Sequence, residues 1–141
     1  MSQLLKARLE RAFVLTADLV DHLDEVSLSA DLPNLPSNRI SGQLWCIVGA
    51  RESYCAAIES GEWQGFSCSL TTPDAKVAAL AALRSSAERL SGIEFNGLSE
   101  RQLELGFDLL EHEIQHHGQL IRYVYGNRLS FPSSWSQRYT V

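Results

Sequence analysis

No apolar run in this sequence approaches the roughly 18 to 20 residues that a membrane span needs. The leading segment from Met1 to Glu10 interrupts its leucines with Lys6, Arg8 and Glu10, so a secretory leader is not expected either. Cysteine is scarce: Cys46, Cys55 and Cys68 form an odd set with no CxxC spacing, which excludes a disulfide framework or a paired redox motif and fits a reducing cytoplasm. Positive charge is short, with 12 Lys and Arg against 17 Asp and Glu. The resulting charge of -5 disfavours the phosphate attraction that dominates nucleic-acid binding. Neither an internal repeat nor a low-complexity stretch is present.

What remains is an ordinary globular composition, 45% hydrophobic and 21% charged over 141 residues, enough for one domain (1–141) with its own core. Leu5, Leu9, Phe13, Leu19, Val20 and Leu23 recur at helical spacing and predict a first helix over Gln3 to Val26. Two prolines in Asp31 to Asn38 mark a linker. A second helix is expected from about Arg39 to Ser60, with Leu44, Ile47, Val48, Arg51, Cys55 and Ile58 on one side and Gly61 as its stop. Gly61 to Thr71 reads as a loop that tucks aromatics against the bundle. Thr72 as N-cap and Pro73 at the first position predict a third helix running through Leu90. After a loop over Ser91 to Gly97, Ser99 and Gln102 form a capping box, with Leu98 placed to staple onto Leu103, and a fourth helix should run to about Tyr125. Four amphipathic helices without a convincing strand imply an all-α four-helix bundle.

The chemistry sits in the fourth helix, in the string HEIQHHGQL. His112 and His116 lie about 40° apart on the helical wheel, one turn from each other, so both imidazoles can converge on one divalent transition metal. The string also spells HExxH, in which two histidines bind zinc and the glutamate is the base of a metalloprotease. Such an enzyme takes its third ligand further along, yet no Asp, Glu or His follows His117; Arg122 stands where the longer motif needs histidine, and Gly118 comes one place early. Glu113 is therefore read as a surface or bundle-edge carboxylate. The third ligand must come from upstream: His22, Cys46, Cys55, Cys68 or a carboxylate. Cys46 is the best of these, because its helical neighbours Gly42, Ala50, Ser53 and Ala57 are small and leave room for an ion. Cys55 points about 180° away and sits roughly 13 Å along the axis. A thiolate with two imidazoles suits zinc and leaves a fourth position open.

QLWCIVGAR on the second helix, HEIQHHGQLIRYVYG on the last and FPSSW beyond it resemble the DinB-like (damage-inducible, YfiT-related) superfamily. The sharpest part is H-x3-H-(R/H)-G-Q-(L/V), matched by His112, His116, His117, Gly118, Gln119 and Leu120. The resemblance implies a four-helix bundle with a long crossover, a homodimer, and a zinc, nickel or similar ion held by three histidines, with Cys46 in the place of one and His112 and His116 as the other two. It further implies transfer of small thiols to electrophiles, or hydrolysis, with a small-molecule ligand or thiol as partner.

Other readings stand beside these. Cys46 as a buried hydrophobe and the histidines as hydrogen-bonded groups would make a metal-free dimeric binding or stress-response module. His117, about 100° from His116, reads as packing or a dimer contact. His22 reads as solvated, Trp45, Trp63 and Trp135 as core or pocket walls, and Gln119 and Arg122 as ligand-orienting groups or a solvated helix end.

Overall fold

The computed structural model describes all 141 residues and contains helices without strands. Helix α1 spans Ser2–His22, α2 Ile40–Ser60, α3 Lys76–Gly92, α4 Glu100–Gly126 and α5 Ser133–Arg138, and a short 3-10 turn occupies Val26–Ser29. No helix is long and apolar enough to cross a membrane. α2 packs chiefly on α4, and α1 packs on α3 and α4, so the first four helices form a bundle.

The boundaries follow local chemistry with two exceptions. The capping box at Ser99 and Gln102 is formed in both directions and starts α4 where expected. Leu98 and Leu103 pack on the same apolar cluster. Gly61, at φ 88°, ends α2 in the left-handed region that glycine enters without penalty. α3, however, begins at Lys76 and not at Thr72. Thr72 to Ala75 closes as a turn, with Ala75 N–H on the Thr72 carbonyl at 3.0 Å, and the cap comes from elsewhere: Glu25 accepts the Lys76 N–H at 3.0 Å. Lys76 Nζ meanwhile donates to the Asp21 and Leu23 carbonyls, both at 2.6 Å. A tertiary cap has displaced the local one.

α1 likewise stops at His22, before Val26, because Leu23 turns extended and Asp24 accepts the Ser27 N–H at 3.0 Å to start the 3-10 turn. α5 was not expected as a helix. It buries Trp135, whose indole N–H donates to the Leu15 carbonyl at 2.7 Å.

The core has two apolar clusters. One gathers Leu19, Ile40, Leu44, Ile47, Val48, Leu120 and Trp135. The other gathers Leu5, Leu9, Phe13, Cys55, Leu105 and Leu109. Along α2, Arg51 falls between Val48 and Cys55; along α4, Glu113 falls between Leu109 and Leu120. Both are wholly buried, so a polar layer separates the clusters.

Candidate metal centre

The packing of α2 on α4 brings Cys46, His112 and His116 together: one ligand atom from each lies within 4.8 Å of the others. His116 is buried, and Cys46 and His112 are half-buried at the edge of the interface. The His112 and His116 rings stand edge to face with centroids 4.5 Å apart. Cys46 Sγ is 3.6 Å from His112 Nε2, which matches the separation of about 3.6 Å between a thiolate and an imidazole nitrogen on one tetrahedral zinc ion.

His116 is oriented for ligation. Its Nδ1 lies 2.6 Å from Gln43 Oε1. An amide oxygen only accepts, so Nδ1 carries the proton and Nε2 is left with its lone pair free. His112 is less satisfied: with Nε2 toward the sulfur, its buried Nδ1 has no hydrogen-bond partner. A buried ring nitrogen without a partner is costly, and this one belongs to a proposed ligand.

Burial pushes the His112 imidazole below its ordinary pKa. Burial and the neighbouring His112 together push His116 down to about 4. Both rings are therefore neutral near pH 7 and ready as donors. Burial pushes the Cys46 thiol up, so it is protonated near pH 7 and could bind a cation only by giving up that proton.

The remaining sequence candidates lie elsewhere. Cys55 is buried in the second apolar cluster, where burial drives its thiol up to about 12. Cys68 lies beside α2 and donates to the Trp45 carbonyl at 3.3 Å, outside the three-residue cluster. His22 is exposed and pairs with Ser130 at 2.9 Å. Of the tryptophans only Trp135 is core; Trp45 and Trp63 are 43% and 44% exposed, in tilted contact with Phe66 and Tyr54. Gln119 and Arg122 are exposed on α4.

Glu113 corrects its sequence reading. It is wholly buried, about 100° around the helix from His112, and both carboxylate oxygens are engaged: Arg51 donates at 2.5 and 3.1 Å, and Thr16 donates at 2.5 Å. Burial alone would raise this carboxyl, but the Arg51 guanidinium with its hydrogen bonds, and His117 close by at 3.8 Å, outweigh it and hold it down at about 2. His117 lies in the same layer, fully buried, and is a packing residue with no surface for a dimer contact. The chain of contacts is consistent in one direction. Tyr139 donates to His117 Nδ1 at 2.7 Å, His117 Nε2–H to Thr16 Oγ1 at 2.8 Å, and Thr16 to Glu113. Arg51 also stacks on the Phe13 ring at 3.7 Å.

Neither a protein-family model nor a curated protein matches this chain. The site therefore rests on its own geometry.

Sequence reasoning did not find Gln43 or the Arg51 layer as parts of this region, though each left a signal. Gln43 precedes Cys46 by three residues and shares its helix face. Arg51 is the one charge among Leu44, Ile47, Val48, Cys55 and Ile58, and a charge on a buried stripe requires a buried partner.

Proposed function

We propose that this chain is a DinB-like, divalent-metal-binding protein in which Cys46, His112 and His116 hold zinc or nickel. The observation that carries this reading is the convergence of three ligand-type atoms, with Gln43 fixing the His116 tautomer that leaves its Nε2 lone pair free. Three protein ligands leave a coordination position for an exogenous group. A bound ion there supplies Lewis-acid activation of a thiol or a water, which supports a metal-dependent thiol transferase or a hydrolase. Within this scheme Gln43 holds the His116 tautomer, and Cys46 contributes the softness that retains a late transition metal.

The peptidase reading is disfavoured because Glu113, the only candidate base in the motif, is neutralised by Arg51 inside the core. The metal-free binding module has one observation in its favour: the 3.6 Å contact from Cys46 to His112 is a hydrogen bond the cluster makes with itself. Homodimerisation in the cytoplasm belongs to the same DinB-like reading, and sedimentation equilibrium tests the dimer.

Elemental analysis of protein purified without a metal-affinity tag separates the alternatives. About one zinc or nickel per chain is expected in the wild type, with less than a tenth of that in Cys46→Ser, His112→Ala and His116→Ala. Absence of bound metal after incubation with both ions would overturn the metal reading and leave the binding module.

A further inference from the structure

A cleft of about 520 Å³ opens at the start of α2, between the Asp31 to Arg39 linker and Trp45. α2 starts without a side-chain cap and without an acidic residue in its first turn. The Ile40 N–H is taken by the Ala30 carbonyl at 3.0 Å and that of Gln43 by Arg39 at 3.1 Å, leaving Ser41 and Gly42 as free first-turn donors. Orphan donors and the positive end of the helix dipole attract anions.

The side chains add an independent signal. Ser41 lines the cleft, is only 7% exposed, and its hydroxyl has no hydrogen-bond partner in the protein. Asn38 uses its oxygen for Gln43 and Tyr123, so its amide NH₂ is free; that nitrogen stands 3.1 Å from where a Gly42 Cβ would be. Arg39, exposed and in no ion pair, completes the set.

We propose that this cleft is a binding site for the carboxylate of a small organic acid, held by the Ser41 and Gly42 amides, the Ser41 hydroxyl, the Asn38 amide and the Arg39 guanidinium. Asp31 also borders the cleft. It offsets Arg39 in charge, so the attraction comes from aimed N–H and O–H donors and not from an excess of cations. That balance favours a monoanion over dianionic phosphate. Gly42 lies one turn, about 6 Å, before Cys46 along α2. A carboxylate seated there sits beside the metal cluster, although only this use as a substrate handle rests on the metal reading.

The test uses the metal-free wild-type chain labelled with ¹⁵N and titrated at constant ionic strength with sodium acetate, with inorganic phosphate as the second arm. Saturable shifts centred on the Ser41 and Gly42 amides are expected with acetate, and severalfold weaker ones with phosphate. Arg39→Asp places an acidic N-cap at an extended residue suited to it. This variant should keep or raise the Tm while weakening acetate binding about tenfold or more, the loss of a charge-assisted contact. Ser41→Ala should weaken it severalfold with the fold intact. Absence of saturable shifts at residues 41 and 42, acetate binding by Arg39→Asp equal to wild type, or phosphate binding tighter than acetate would each overturn the proposal. Because no metal is present, failure of the metal reading leaves these outcomes unaffected.

Discussion

Helix α4 carries two polar groups within six residues, and the protein treats them in opposite ways. Glu113 and His117 face the interior, where Arg51, Thr16 and Tyr139 meet their hydrogen-bonding capacity. His112 and His116 face α2 at the edge, where Gln43 satisfies one ring and the other keeps a buried nitrogen without a partner. The two pairs share the same i, i+4 spacing and differ only in the face they occupy. A fully paired polar layer is what a fold uses to hold one arrangement; the half-buried edge pair, with the His116 Nε2 left free, has room for a ligand.

The largest effect should come from breaking the closed set. Arg51→Met leaves a buried, unpaired carboxylate and should cost about 3–5 kcal/mol of unfolding free energy, whereas Arg51→Met with Glu113→Met should recover most of it. Chemical denaturation of the three variants checks this. If the double variant is no more stable than the single one, the layer is not a coupled pair.

Acid should separate the two sets in sequence. The His116 ring titrates near 6.5 when unfolded and at about 4 when folded. The unfolded chain therefore binds more protons between these values, and stability falls as the pH drops through that window. Glu113 is depressed from 4.5 to about 2. Its contribution is complete above about pH 4.5 and is lost only as the pH falls toward 2. His116→Gln should shrink the upper loss, leaving the part that His112 contributes, and spare the lower one in denaturation curves collected across pH.

Gln43→Ala should weaken zinc or nickel binding about 10- to 100-fold, as loss of an orienting partner usually does, while leaving the closed layer intact. A competitive chelator titration measures it. At pH 7 zinc uptake should also release about one proton per ion, from Cys46, because the imidazoles are already neutral. Calorimetry in buffers of different ionisation enthalpy gives that number; release of two or more would mean the imidazoles were protonated.

The smallest effect concerns the wall beside the site. A Cβ at Gly49 would stand 2.2 Å from the Phe66 ring and 3.0 Å from Cys68 Cβ. Phe66 is 46% exposed and can swing away, so Gly49→Ala should cost about 1 kcal/mol and shift near-ultraviolet signals of the Trp45 and Phe66 pair more than it shifts stability.

Much of this was legible before the structure. Two of the four long helices, α2 and α4, start and stop within a residue or two of the positions their caps and glycines mark, since those signals act through local backbone groups. α3 departed because Glu25, 51 positions away, supplies its cap. The Cys46, His112 and His116 cluster was legible because i, i+4 spacing fixes two of its members and helix packing needs to supply only one more. Glu113 was misread because its partner sits 62 positions away on α2. Wheel angles place a side chain on a face but do not say which charge waits there.

The C-terminal segment adds a consequence in time. Trp135 closes on Leu15 across 120 positions, and Tyr139 supplies the last contact of the His117 chain. During synthesis from the N-terminus, α4 emerges before Trp135 and Tyr139, so the inner face of its histidine segment stays unmet until those residues follow. Native packing of the His117 layer must therefore wait for the segment beyond α4.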